Sequence, residues 1–291
     1  MPKHILVTGA NGQLGSELQH LTKNNTYETV SFYFTDKEEL DITNASEVEA
    51  FCKEKKIKVI INCAAYTAVD KAEEDKESAN LINHLAVKYM SQIAKTQGIQ
   101  MIHISTDYVF DGSNCRPYIE EDRVNPTSIY GQSKLDGERA MQEICPPNSL
   151  IIRTSWVYSA FGNNFVKTML RLAKQRDELG VIFDQVGTPT YAKNLAQSIL
   201  DIITKKYNAS NVEIYHYSNE GVCSWYDFAK AIFELSEIPC RVNPITTEQY
   251  PTPATRPHYS ILNKSKIKRD FDLDIPYWKD ALKEALSSLE A

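Results

Sequence analysis

Short apolar runs closed by small or polar residues alternate along this chain with stretches in which apolar side chains recur every three or four positions. The first kind marks buried strands, the second amphipathic helices. His4-Ile5-Leu6-Val7-Thr8 predicts a strand, and Leu14, Leu18 and Leu21 predict the helix that follows. Thr29 to Thr35 predicts a second strand, ending at Asp36. Leu40-Asp41-Ile42-Thr43 leads into a surface helix from Ala45 to Lys55, with Asp41 either capping it or facing a bound base. Val59 to Ala65 reads as a strand buried on both faces, and Met101 to Asp107 as another, with a helix from about Ser78 to Thr96 between them. Asn125-Pro126 stops any helix before it, so the next begins near Ser128; Leu150 to Thr154 is a further buried strand. This alternation predicts an α/β fold, a Rossmann-like doubly wound parallel sheet.

After about residue 150 the alternation loosens. A helix from Asn163 to Gln175, basic along one face, a strand at Val181-Ile182-Phe183 and a helix from Tyr191 to Thr204 come first. Ile214 to Tyr217 is a candidate to rejoin the main sheet, and Pro244, Pro251, Pro253 and Pro257 punctuate the loops beyond it. The expected plan is a dinucleotide-binding domain over residues 1–150 and a smaller, interleaved, mainly substrate-binding domain over 151–291.

Chemistry enters at the junction of the first strand and helix. Gly9-Ala10-Asn11-Gly12-Gln13-Leu14-Gly15 sets a glycine turn where a helix N-terminus offers free N–H groups and a positive dipole end to a pyrophosphate. Gly9 would permit the tight turn, Gly12 the close approach of backbone to phosphate, and Gly15 the packing of helix on strand. The plainer alternative is a glycine-rich turn of no special purpose; its position between strand and helix favours a nucleotide. Asp36, 21 residues beyond Gly15, stands where a ribose 2′-hydroxyl would be held. Lys37 beside it would tolerate a 2′-phosphate, so NADH and NADPH are both open as cofactors.

A second candidate lies in the stretch from Ile129 to Glu138, where Tyr130 and Lys134 are four apart and share one helix face. An ammonium beside a phenol favours the phenolate, so the expectation is a Tyr130 pKa drawn below its usual value of about 10. That would make the hydroxyl a usable proton donor or acceptor. With 16 tyrosines in the chain about one such pair arises by chance, and there are three, the others being Tyr33/Lys37 and Tyr226/Lys230. Context selects Tyr130/Lys134, which follows a buried strand delivering Ser105, Thr106 and Asp107 to the side where open α/β sheets bind ligands. The Tyr33 pair straddles a strand end, and the Tyr226 pair lies far downstream.

Composition narrows the partners. With 32 Lys+Arg against 38 Asp+Glu the net charge is −6 and no basic stripe appears, which argues against nucleic acid or an anionic membrane surface. The six cysteines show no metal-ligand spacing and are expected as free thiols. No apolar run approaches the roughly 18 residues of a membrane span, so a soluble, cytoplasmic setting is expected.

Gly-x-x-Gly-x-x-Gly at 9–15, Asn62-Cys63-Ala64-Ala65, Ser105-Thr106-Asp107-Tyr108-Val109-Phe110 and Tyr130-x-x-x-Lys134, in this order, resemble the extended short-chain dehydrogenase/reductases. More narrowly, Ala64 to Glu73, Arg153 to Tyr158, Gly162 to Phe165 and Tyr250 to Pro257 are similar to the dTDP-4-dehydrorhamnose reductases, and the resemblance runs to about Pro276. It implies reduction of the 4-keto group of dTDP-4-dehydro-L-rhamnose to dTDP-L-rhamnose, a nucleotide sugar for cell-surface polysaccharide. Carried over position by position, it makes Tyr130 the proton donor and Lys134 its partner and the holder of the nicotinamide ribose. Thr106 would hydrogen-bond the carbonyl or the tyrosine, and Asp107, Trp156, Asn164 and Arg256 would meet the substrate. Gly9, Gly12, Gln13, Leu14, Gly15, Asp36, Asp41, Ile42, Ala65, Tyr66 and Thr67, with Tyr130 and Lys134, would contact the cofactor. Some members bind Mg²⁺ through acidic residues at a subunit contact. Glu17 is retained, but Lys193 stands where an acid is known, so no metal is assigned and a homodimer is left open.

The residue types make chemical sense on their own. Hydride arriving at a ketone carbon makes an alkoxide, which a nearby acid must protonate. Each residue also has a plainer role: Trp156 as core, Thr106 and Asp107 as turn or cap residues, Arg256 as a surface cation, Tyr66 as packing. Two other functions remain. One is a nucleotide-sugar dehydratase or epimerase with tightly bound NAD, although Tyr108 follows Asp107 where the dehydratases carry Glu. The other is a non-catalytic regulatory subunit resembling that of methionine adenosyltransferase.

Overall fold

The computed structural model describes residues 3–24, 30–205 and 207–290. Thr29, expected to open the second strand, lies outside them. Strands β1 (Lys3–Thr8), β2 (Val30–Thr35), β3 (Val59–Asn62), β4 (Gln100–Thr106) and β5 (Leu150–Thr154) are interspersed with helices α1 (Gln13–Asn24), α2 (Ala45–Glu54), α3 (Val69–Ala72), α4 (Lys76–Asn80), α5 (Ala86–Gln97) and α6 (Ile129–Ile144). Then come β6 (Val157–Tyr158), α7 (Phe165–Ala173), β7 (Glu178–Ile182), β8 (Val186–Gly187), β9 (Thr190–Tyr191), α8 (Ala192–Thr204) and β10 (Glu213–Tyr217). The chain closes with β11 (Cys223–Ser224), α9 (Trp225–Leu235), β12 (Arg241–Ile245), α10 (Ser265–Phe271) and α11 (Trp278–Glu290).

Six strands make one sheet in the order β10-β5-β4-β3-β1-β2, and every neighbouring pair is parallel. Ile214 to Tyr217 does rejoin the sheet, as part of its edge strand. Alternate residues of each strand face opposite layers. Ile5, Val7, Val59, Ile61 and Ile152 pack with Leu14 and Leu18 of α1 and Leu195 and Ile199 of α8. Leu6, Ile60, Met101 and Ile151 pack with Val48 of α2, Met90 and Ile93 of α5 and Met141 of α6. Strands apolar on both sides have no face to give to water, so the sheet must lie between two helical layers. A separate cluster joins Val166 of α7, Phe228 and Ile232 of α9, and Leu282 of α11.

Two local expectations are corrected. The helix expected at about Ser78 to Thr96 runs from Lys76 to Gln97 and contains a π-helical turn at Leu81–Leu85. A single widened turn scarcely disturbs the 3.6-residue pattern, so the sequence does not show it. The cap of α2 is Asn44, whose Oδ1 accepts from Glu47 N at 3.4 Å. Asp41 instead closes a turn of its own, with Oδ1 accepting from Thr43 N at 2.9 Å and Thr43 Oγ1 at 2.7 Å. Those donors lie two residues on, nearer than any N–H of the helix. All six cysteines are free of disulfides. Among the described residues no helix is long and apolar enough to cross a membrane.

Candidate active site

The loops after β1, β2 and β3 enclose a cavity of about 630 Å³ at the carboxyl edge of the sheet. Of the expected cofactor residues, Gly9, Gly12, Asp36, Asp41, Ile42 and Ala65 line it; Gln13, Leu14, Gly15, Tyr66 and Thr67 do not. Leu14 is buried in the core, and a Cβ on Gly15 would sit 2.3 Å from Gly9 O, so these two seat the helix on the strand. Gly9 has φ +67°, and a Cβ there would lie 2.6 Å from Ala64 N. Only glycine fits that turn. Asp36 binds the turn from the side, Oδ2 accepting from Asn11 N at 2.9 Å and Oδ1 from Lys37 N at 2.8 Å. The sequence reading missed the apolar wall of Leu40, Ala64, Leu81 and Ile82.

At the neighbouring strand ends stand the reactive groups. Ser128 caps α6, its Oγ accepting from Gly131 N at 3.1 Å, and so fixes the first turn that carries Tyr130. A Cβ on Gly131 would meet Tyr108 O at 2.3 Å, which lets α6 lie against the end of β4. The Tyr108 and Tyr130 rings meet edge to face at 5.5 Å. Thr106 donates to Asp107 Oδ1 at 3.0 Å and accepts from Tyr108 N at 3.2 Å, and its hydroxyl opposes the effect of burial on the neighbouring Tyr130 phenol. It is therefore a cap and a site residue at once.

The expected effect of Lys134 on Tyr130 is not found. Burial pushes the Tyr130 phenol up to about 12, and burial pulls the Lys134 ammonium down to about 8. Desolvation penalises both charged forms. The Lys134 Nζ atom donates to Ile104 O at 2.7 Å and lies 3.4 Å from His103 Nε2. A shared helix face brings two stems together without aiming their tips at each other.

Asp107 is 2% exposed, and burial pushes its carboxyl up to about 6, opposed by the nearby hydroxyls of Ser260 and Thr106. Among the described residues its Oδ2 has no hydrogen-bond partner. Trp156, at the end of β5, is half-buried with φ +48°. A left-handed aromatic residue is strained and persists only where its surroundings hold it. Its indole stacks on that of Trp225 with centroids 3.5 Å apart and planes at 10°, and Gly187 leaves the room that a Cβ would fill at 2.8 Å from the ring.

Two expected substrate residues are already engaged. Asn164 caps α7 through Lys167 N at 3.1 Å and donates to Gln13 Oε1 at 3.0 Å and Ser159 O at 2.8 Å. Arg256 forks onto Asp70 of α3, with Nη1 to Oδ1 at 2.9 Å and Nη2 to Oδ2 at 2.7 Å. Asp70 belongs to a string that carried the resemblance, yet nothing local marked it as the partner of Arg256. Lys193 pairs with Glu284.

A parallel sheet of this order, a glycine turn after β1 and a threonine, tyrosine and lysine at its carboxyl edge define a Rossmann-type, dinucleotide-binding oxidoreductase. Comparison with known proteins gives the branch. The chain belongs to the family described as the RmlD substrate binding domain, which matches residues 3–291. It is 45% identical over 289 residues to a dTDP-4-dehydrorhamnose reductase of Aggregatibacter actinomycetemcomitans, covering 96% of this chain and 97% of that one. A solved dTDP-4-dehydrorhamnose reductase of Clostridium acetobutylicum matches with a TM-score of 0.92 and 46% identity, over 99% of this chain and 100% of that one. One from Bacillus anthracis, solved in complex with NADP, matches with a TM-score of 0.92 and 39% identity over the same shares.

Proposed function

We propose that this chain reduces the 4-keto group of dTDP-4-dehydro-L-rhamnose to give dTDP-L-rhamnose, with NADPH or NADH as cofactor. The observation that carries this reading is the meeting of Thr106, Asp107 and Tyr130 at the carboxyl edge of the sheet, next to Lys134. Near full-length similarity to reductases of that name supports it.

A nicotinamide dinucleotide suits the residues present. The glycine turn leaves backbone bare for a pyrophosphate, and the cavity pairs a carboxylate (Asp36) and an ammonium (Lys37) with apolar walls fit for a base. When bound, such a cofactor supplies the hydride. The remaining work is the chain's. Tyr130, a phenol kept protonated at neutral pH by a pKa of about 12, gives its proton to the former ketone oxygen, and Thr106 orients it. Lys134 would hold the nicotinamide ribose, as the resemblance implies. Asp107 takes a sugar hydroxyl on Oδ2, Trp156 flanks the sugar ring, and Arg256, braced by Asp70, faces the diphosphate. Residues 1–150, with α8 and β10 returning to the sheet, serve the dinucleotide, and the rest of 151–291 serves the substrate. The setting we propose for the reaction is the cytoplasm, in keeping with a cofactor and a substrate that are both water-soluble small molecules.

Purified protein mixed with dTDP-4-dehydro-L-rhamnose and NADPH should consume the reduced-nicotinamide absorbance in step with dTDP-L-rhamnose formation. No consumption with either reduced cofactor overturns the reading. A stoichiometric NAD retained through dialysis would move it to a dehydratase or epimerase.

A further inference from the structure

Behind Lys134 a polar chain crosses the sheet interior, and the reaction above makes no use of it. Thr8 Oγ1 donates to Asn62 Oδ1 at 2.7 Å, Asn62 Nδ2 lies 3.0 Å from His103 Nδ1, and His103 Nε2 lies 3.4 Å from Lys134 Nζ. Thr8 is paired in register with Asn62, and Asn62 with His103, so three adjacent strands align these side chains. Thr8 and Lys134 are 1% exposed, Asn62 and His103 not at all. Polar groups this deep in a sheet of Ile, Val and Leu are costly unless every one is paired.

The direction of the hydrogen bonds makes the chain informative. His103 is neutral, because burial and the Lys134 charge hold its pKa well below the ordinary histidine value. One ring nitrogen therefore donates and the other accepts. With the Asn62 amide donating to Nδ1, Nε2 carries the hydrogen and can only meet an uncharged Lys134 amine. With the amide turned by half, Asn62 Oδ1 accepts from Nδ1–H, and Nε2 accepts from the Lys134 ammonium. Asn62 Nδ2 then donates to Thr8 Oγ1. Each protonation state of Lys134 thus has its own paired arrangement, while the bond to Ile104 O serves both.

We propose that His103, oriented by Asn62 and Thr8, is a positioning residue for Lys134 that keeps its amino group paired in both protonation states and favours the charged one. Its bearing on turnover rests on the reductase reading of the Tyr130/Lys134 site. The other groups facing Lys134 are Glu138, one turn along α6, and Cys63 at the end of β3, both of which raise its pKa, with Tyr130 one turn before it. Against them burial prevails and leaves Lys134 at about 8. Without an acceptor at His103 the buried ammonium loses a partner and should give up its proton at lower pH still.

Nuclear magnetic resonance of the full chain with isotope-labelled lysine, Lys134 being assigned through Lys134→Met, reads that titration without substrate. His103→Phe should lower the Lys134 midpoint by about one pH unit or more, the size expected from losing one charge-assisted hydrogen bond. Thr8→Val, which breaks the far end, should lower it by less, and His103→Gln, which keeps an amide that can donate or accept, should stay near the parent. The basic limb of the kcat profile should move with the midpoint while the KM for the nucleotide sugar stays put. An unchanged Lys134 midpoint in His103→Phe, or in Thr8→Val should the first variant not fold, overturns the proposal even if thermal stability drops. A parent protein that reduces no sugar would overturn the proposed function and still leave the titration to decide the role of His103.

Discussion

Tyr130 contributes a ring to the packing and one hydroxyl to the chemistry. Tyr130→Phe keeps the edge-to-face contact with Tyr108 and removes only the hydroxyl. Steady-state kinetics should show kcat down by about 10²–10⁴-fold with KM little changed and the melting temperature intact, since the lost interaction forms only in the transition state. Near-normal turnover would refute the assignment. Asp107 behaves differently, because its burial has a cost that can be read from pH. Its carboxyl lies at about 6 against an ordinary 3.8, so the folded protein holds that proton more tightly than the unfolded chain does. Stability is unaffected below about pH 4, falls as pH rises between about 4 and 6, and stays reduced above that. Asp107→Asn should therefore add about 1–3 kcal/mol of unfolding free energy at pH 7.5, a gain that fades by pH 4, while turnover drops. An equal gain at both pH values would mean a packing effect. At this scale the sequence named Tyr130, Lys134 and Thr106 but reversed the sign of the tyrosine shift. Spacing along a helix says which side chains share a face; it does not say how deep the face is buried.

The helix α6 is seated as a unit by the π-helical turn before α5. Asn83 of that turn accepts from Tyr66 N at 2.9 Å and donates to Tyr66 O and Ser133 Oγ, each at 3.0 Å. Ser133 Oγ in turn donates to Tyr130 O at 2.8 Å. A Cβ on Gly137 would come within 2.2 Å of Asn83 O, so α6 rests directly on the turn's backbone. Gly137→Ala should push the helix outward, lowering unfolding free energy by about 1–3 kcal/mol in urea titrations and reducing kcat through the displaced Tyr130 and Lys134. Turnover at the parental level in a destabilised variant would show that the seat matters for folding alone. The start of α6 near Ser128 was legible because the proline that precedes it is a local signal. Asn83 lies 50 residues from Ser133 and His103 lies 31 from Lys134, and no periodicity registers pairings made between separate elements.

Over the whole molecule, an ion pair joins Arg256 to Asp70 across 186 residues, tying the C-terminal proline-rich loop to the first half of the chain. Ala254 N adds a further hydrogen bond to Asp70 Oδ1 at 3.2 Å. Both side chains keep some solvent, at 22% and 41% exposure, so the pair adds on the order of 1 kcal/mol or less to stability. Arg256→Met should leave the melting curve nearly unchanged and raise the KM for the nucleotide sugar about tenfold, with kcat less affected. An unchanged KM would mean that the diphosphate is held elsewhere. The parallel sheet was legible from its apolar runs, including the late return of β10. Whether the loop from Tyr250 to Pro257 crossed to α3 was not, because proline-rich loops carry no periodicity from which to extend a path.

The face-to-face contact of Trp156 and Trp225 has an optical consequence. The chain has three tryptophans, and the third, Trp278, is buried against Phe228 and is not part of that stack. Two indoles in parallel contact at 3.5 Å exchange excitation, so they should give a paired positive and negative band in circular dichroism and weak emission, leaving Trp278 to dominate the fluorescence. Trp225→Phe should abolish the paired band and brighten Trp156. Any molecule that settles against Trp156 should then change the signal of the intact pair, giving a binding titration that works with no turnover at all.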